Sequence, residues 1–150
     1  MSKPLILIPP SEGKSSGGEG WPWLETDHFF KDLQGPRLEV IKALKKSMKE
    51  AEVNRSKLLG VKGKKVGEAT KANLNVDKSA TMPAIERYTG VLYDALSYSS
   101  LPASLQKKID DQVVIFSGLW GALKPKDLIP DYKLKMGAKL PHLGVLSRFW

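Results

Sequence analysis

The chain of 150 residues contains no cysteine. That excludes disulfides, thiolate-held metals and a cysteine nucleophile, and it is compatible with a reducing cytoplasmic home. Histidine is nearly as scarce, with His28 and His142 far apart. A metal centre would have to lean on carboxylates, so neither a metal nor a cofactor is expected. No run approaches the ~18 apolar residues of a membrane span, and the apolar opening is too short for a signal peptide, so no membrane partner is expected. Repeats, low-complexity tracts and Gly/Ser linkers are also missing. One domain over residues 1–150 is the simplest organisation, and it is long enough to bury a core without staples.

Acidic residues are in deficit, at 16 against 24 basic, for a net charge of +8. The imbalance is local. Between Arg37 and Lys78 twelve Lys or Arg stand against five Asp or Glu, a net of +7. Such a segment suits a nucleic-acid face, and a solvated basic face fits it as well.

Pro4 to Ile8 is apolar without alternation, the pattern of a central strand covered on both faces, and Pro9-Pro10 close it. Ser11, Glu12, Gly13 and Lys14 open a loop rich in glycine and serine, where backbone N–H groups and the Lys14 amine could meet an anion. Gly13-Lys14-Ser15 ends like a Walker A loop. Ile8 takes the place of that motif's first glycine and no helical pattern follows, which argues against nucleotide hydrolysis. Trp21, Trp23, Phe29 and Phe30 lack periodicity and are expected to anchor their segment by burial. From Pro36 the pattern is helical, with Leu38, Ile41, Leu44 and Met48 inward and Lys42, Lys45, Lys46 and Lys49 toward water.

Asn54 is expected to cap a short helix through Arg55 to Leu59. The hairpin Gly60-Val61-Lys62-Gly63 follows, and Lys64 to Ala72 makes a second helix. This spacing resembles the helix-hairpin-helix motif, in which glycines let the backbone approach DNA and a helix N-terminus binds phosphate. Val61 would lock the two helices, and Lys57, Lys62, Lys64 and Lys65 would supply charge. Contacts of this kind read phosphate and shape rather than base sequence. A plain helical hairpin with a glycine cap satisfies the same pattern.

Thr81 is read as the cap of a helix with Pro83 in its first turn, interrupted at Thr89-Gly90. Val91, Leu92, Ala95 and Leu96 then resume an apolar face. Pro102 leads a further helix with Leu105 and Ile109 inward, before a buried strand at Val113 to Phe116. Ser117 to Gly137 follows, with the glycines, prolines, acids and lysines of an ordered loop at a strand's carboxyl end, the edge ligands favour in α/β sheets. A long structural connection is the alternative. If the two apolar strands are parallel neighbours, Glu12 and Lys14 share one edge with Asp127, Tyr132 and Lys133, and a pocket for a small molecule can form. There Glu12 or Asp127 could act as general base, and Lys14 or Lys133 could hold an oxyanion or phosphate. Ion pairs that merely fix two loops fit these residues equally. The expected fold is mixed α/β (α+β): a central sheet of short buried strands, surrounding helices and an inserted helix-hairpin-helix-like element.

Three separated motifs agree with one family. They are Leu5-Ile6-Leu7-Ile8-Pro9-Pro10-Ser11-Glu12-Gly13-Lys14, then Tyr88-Thr89-Gly90-Val91-Leu92-Tyr93-Asp94-Ala95-Leu96, then Ser117-Gly118-Leu119-Trp120-Gly121. The last continues through Pro125, Asp127, Ile129, Pro130, Tyr132, Leu134, Met136 and Gly137. In order and spacing they resemble the YaaA peroxide-stress protein family. The resemblance implies a cytoplasmic protein of mixed α/β fold, with a helix-hairpin-helix element and a positively charged cleft. Such a protein binds duplex DNA and helps cells survive hydrogen peroxide by limiting damage from free iron; no established reaction comes with the family. Members continue well past Trp150, so this chain is expected to be an amino-terminal portion with an apolar edge or face left open.

The leading expectation is therefore duplex binding through Gly60 to Lys65 and the basic helix before it. Lys14, Lys124, Lys133 and Lys135 would line the cleft, and Ser11, Gly13 and Lys14 would form an anion site. An enzyme acting on a nucleotide, nucleic acid or phosphorylated substrate is the alternative. Direct iron sequestration finds little support without cysteines or paired ligands.

Overall fold

A computed structural model describes residues 3–150. In chain order the elements are β1 (Ile6–Ile8), α1 (Gln34–Ser47), α2 (Glu52–Leu59), α3 (Lys64–Leu74), β2 (Met82–Pro83), α4 (Ala84–Arg87), α5 (Val91–Leu96) and α6 (Ala103–Gln112). Then come β3 (Val113–Ser117), β4 (Gly121–Leu123), β5 (Leu128–Ile129), β6 (Lys139–Leu140), β7 (Gly144–Val145) and α7 (Leu146–Phe149). The fold is mixed α/β, as expected.

The main sheet has the order β1-β3-β4. Its β-branched centre, β3, runs parallel to β1 with Ile6 opposite Val113 and Ile8 opposite Ile115, and pairs antiparallel with β4 across a tight turn. A parallel pair needs a long crossover, and here the crossover carries α1 to α6. The core gathers Ile115, Leu119, Trp120 and Leu123 with Trp23 and with Val40, Ile41, Leu44 and Met48 from the α1 segment. The three- and four-residue spacing in α1 puts those side chains on one stripe, each contributing about 1.5–3 kcal/mol by burial.

Several local expectations fail. β1 is an edge strand rather than a central one: Leu5, Ile6 and Leu7 are 63%, 47% and 56% exposed, because only β3 pairs with it among the described residues. Apolar continuity records a need for cover, not its presence. On α1, Leu38 is exposed while Arg37 is fully buried. The guanidinium donates to the carbonyls of Trp120, Ala122 and Phe29, so hydrogen bonding outweighs the cost of burying it. Asn54 is no cap, since α2 begins two residues earlier behind Ala51. Thr81 instead donates its hydroxyl to the Trp21 carbonyl, and the next helix starts behind Pro83. Val91, Leu92 and Leu105 face outward, and of the early aromatics Trp23 is buried while Trp21, Phe29 and Phe30 are exposed. Ser117 to Gly137 is not one loop: it contains β4 and β5, and β5 pairs with β2.

Candidate nucleic-acid interface and adjoining pocket

α2 and α3 form a helical pair joined by residues 60–63. The connection needs glycine at both ends, since Gly60 has φ +67° and Gly63 φ +63°. At Gly60 a Cβ would also collide with the Lys135 side chain, which lies across the turn. The Ser56 hydroxyl donates to the Val61 carbonyl, and Arg55 donates to Thr70 Oγ1 at 2.9 Å, so the pair is closed by polar bonds as well as packing. Val61 is half-buried against the core. Lys57, Lys62, Lys64 and Lys65 are all exposed. None of them pairs with a carboxylate among the described residues, and α3 starts without an acid or a side-chain cap. An uncapped, positively flanked helix start favours anions.

Beside this pair lies a pocket of about 440 Å³. Its wall is shared with the helical pair through Val61, Lys65 and Glu68, and its other side holds Glu12, Lys14 and Tyr132, with Asp131 and Lys133 on the rim. The parallel pairing of β1 and β3 brings the two loops together. Local bonds then fix them: Ser15 N–H donates to the Arg87 carbonyl, Thr89 N–H to the Gly13 carbonyl, and the Ser11 hydroxyl to the Thr89 carbonyl. Residues 87–89 are thus the brace of the 11–15 loop. On the far side, buried Asn73 of α3 both donates to and accepts from the backbone of Lys133, at 2.8 Å each way. The same helix that presents Lys64 and Lys65 therefore holds the pocket wall.

Behind Tyr132, which lines the pocket, runs a buried hydroxyl chain. Tyr132 OH lies 2.7 Å from Ser117 Oγ and 2.5 Å from Tyr88 OH. Ser117 Oγ in turn accepts the N–H groups of Leu119 and Trp120, which explains the Ser-Gly-Leu-Trp turn. Burial pushes the Tyr132 phenol up to about 12 and the Tyr88 phenol well above its ordinary value, so both stay neutral. The Lys14 ammonium sits 4.3 Å from the Tyr132 ring centre and 5.6 Å from that of Tyr88. Its Nζ donates to the carbonyls of Ser11 and Glu12 and has no carboxylate within 4.0 Å among the described residues. Burial pushes its pKa down to about 8, helped by Lys133 and Arg87 and opposed by Asp131 and Glu12. Glu12 is exposed and lies 3.9 Å from Lys133 Nζ and 4.0 Å from Lys135 Nζ, a loose contact worth little.

Of the predicted site residues, the fold brings Ser11, Glu12, Gly13, Lys14, Tyr132 and Lys133 into one region. Asp127 does not join them. It is buried and accepts N–H bonds from Phe29 and Lys124 near Arg37; burial raises its pKa, against the pull of those bonds. Lys124 reaches the Asp111 carbonyl, away from the pocket. Sequence reasoning missed Arg87, Asn73 and the Ser117 partnership. Arg87 is fully buried and donates to the carbonyls of Ser15, Ala80 and Ile129. A signal existed for both buried arginines: Arg37 shares the spacing of Val40, Ile41 and Leu44, and Arg87 that of Ala84 and Tyr88. Nothing in the sequence marked Asn73.

No helix among the described residues is long and apolar enough to cross a membrane, and none of their His, Asp and Glu side chains group by threes to hold a metal. The fold and site define a mixed α/β protein with a basic helical pair set against a lysine–tyrosine pocket. The chain matches the family described as peroxide stress protein YaaA over residues 5–150, and it belongs to that family. It is similar to a UPF0246 protein of Streptomyces coelicolor, 39% identical over 146 residues, which covers 97% of this chain and 56% of the relative. A UPF0246 protein of Corynebacterium glutamicum is 41% identical over 139 residues, covering 91% and 53%. An uncharacterized protein of Campylobacter jejuni is 33% identical over 141 residues, covering 93% and 56%. The chain spans about half the length of these curated relatives.

Proposed function

We propose that this chain is a DNA-binding part of a cytoplasmic peroxide-stress protein, holding duplex DNA through the helical pair α2–α3 without strong sequence specificity. The observation that carries this reading is the cluster of four exposed lysines, unpaired among the described residues, around an uncapped helix start beside a glycine turn that is unobstructed at Gly63. Lys57, Lys62, Lys64 and Lys65 neutralise phosphates, and the open backbone at Gly63 lets the duplex approach closely. Ser11, Gly13, Lys14, Lys133 and Lys135 extend the positive surface along the pocket rim. Titration of a short duplex at rising salt tests the reading: log affinity falls by about 0.9 per phosphate in log salt. Affinity that ignores salt, or that survives replacement of Lys62, Lys64 and Lys65 by Glu, overturns it.

A second reading is favoured by the pocket itself, where Glu12 and Lys133 approach across two loops with Lys14 beside them. Here Glu12 acts as general base, and Lys14 or Lys133 holds the anionic group of a nucleotide or other phosphorylated substrate. Isothermal titration with nucleoside phosphates separates the two readings, because this one requires binding that is lost in Lys133→Ala and unaffected at Lys62.

A further inference from the structure

We propose that the Lys14 amine forms a Schiff base with the aldehyde of an abasic site in DNA held by α2 and α3. The inference rests on the duplex-binding reading and goes beyond it, because it assigns the pocket a covalent chemistry. Three observations on geometry support it. Lys14 Nζ lines the pocket, against the rings of Tyr132 and Tyr88. Its Nζ donates to the carbonyls of Ser11 and Glu12, which hold the amine in place at the pocket wall. The pocket wall includes Val61 and Lys65 of the proposed DNA contact, so a backbone seated on the helical pair passes the pocket mouth.

Lysine is a nucleophile toward carbonyls only as the free amine, and desolvation beside other cations is the usual way to obtain it. With a pKa of about 8, about a quarter of the amine is free at pH 7.5 by ordinary titration. The groups facing it are Glu12 on its own loop, Asp131 and Lys133 across the pocket, and Arg87 beneath. An abasic nucleotide suits the pocket for a physical reason. It has no base to unstack, so its sugar leaves the duplex at little cost. A cavity of about 440 Å³ admits a deoxyribose. In the ring-opened sugar C1′ is an aldehyde. The amine nitrogen adds to C1′ to give a carbinolamine, water leaves with the former carbonyl oxygen and two amine hydrogens, and a C=N bond links Lys14 to the DNA.

The test uses a duplex carrying one abasic site, the same duplex intact, and sodium cyanoborohydride, which reduces the C=N bond to a stable amine. The expected result is a protein–DNA adduct on a denaturing gel whose mass-mapped attachment is Lys14. Adduct yield falls at least about tenfold in Lys14→Arg and Lys14→Met, and is retained in Lys107→Arg, an exposed lysine of α6 away from both the helical pair and the pocket. Mapping needs no variant, so a misfolded Lys14 substitution leaves the test intact. Attachment at Lys62, Lys64 or Lys65, or full yield in Lys14→Arg, overturns the inference. Binding of both duplexes without an adduct overturns it too, and leaves duplex binding standing. If neither duplex binds while glyceraldehyde 3-phosphate is trapped on Lys14, the amine serves a free aldehyde instead; both the DNA source and the duplex-binding reading then fall.

Discussion

The helical pair and the pocket it borders use positive charge in opposite ways. Lys57, Lys62, Lys64 and Lys65 stand in water with no carboxylate partner among the described residues, so their charge is cheap to keep and available to any phosphate that arrives. Around the pocket the cations are drawn inward. Arg87, beneath it, is fully buried and bonded to carbonyls, and Lys14 is pressed against aromatic rings. Exposed charge can be removed with little cost to folding, whereas buried charge is bound into the fold. Asn73 ties the two regions together by bonding α3 to the backbone of Lys133.

Arg87→Met puts this contrast under the greatest strain. It strands the carbonyls of Ser15, Ala80 and Ile129, and the expected loss is about 3–4 kcal/mol, read from the urea midpoint. Wild-type stability would show that Arg87 is not what braces the 11–15 loop. Next in size, replacing Lys62, Lys64 and Lys65 together by Glu should leave the urea midpoint within about 1 kcal/mol. Duplex affinity should fall on the order of 100-fold (about 2.8 kcal/mol), with a salt slope shallower by about three. Fluorescence anisotropy over a salt series measures both quantities.

Tyr132→Phe is a smaller perturbation, because it removes one hydroxyl and keeps the ring under Lys14. Leaving Ser117 and Tyr88 partly unpaired should cost about 1–2 kcal/mol without changing duplex affinity. A change in affinity instead would mean that the hydroxyl chain shapes the DNA contact. A separate effect concerns pH. The Lys14 pKa is about 8 in the folded chain against 10.5 for a solvated lysine amine, so above pH 8 the unfolded state binds more protons and stability rises with pH. This gain should appear between pH 8 and 10 as the difference between wild type and Lys14→Met. The tyrosines, whose pKa values lie above the ordinary 10, remain protonated across that window. Identical pH profiles would mean that Lys14 is not desolvated.

Much of the exposed region was legible in the sequence. The spacing Gly60-Val61-Lys62-Gly63 marks a turn whatever surrounds it, because only glycine takes both backbone conformations easily, and the next helix starts at Lys64 as its pattern predicts, running on to Leu74 rather than Ala72. The pocket was legible only in part. Parallel pairing of the two apolar runs could be posed as a condition, and it placed Glu12, Lys14, Tyr132 and Lys133 together. Asp127 has the same sequence credentials and turned inward to cap its own turn. Which way a polar side chain faces depends on which unpaired N–H groups lie near it, and local pattern does not record those.

By itself, then, the sequence determined where positive charge concentrates, where glycine must turn the chain, and that the two apolar runs at 4–8 and 113–116 hold strands, since these follow from composition and local conformational preference. Only the tertiary structure decided that β1 lies at an edge, that two arginines are core residues, and that Lys14 rests on a Tyr132–Tyr88–Ser117 chain assembled from segments far apart in sequence. Burial and hydrogen-bond partnership arise from contacts between distant segments, so they come into being only when the chain has closed on itself.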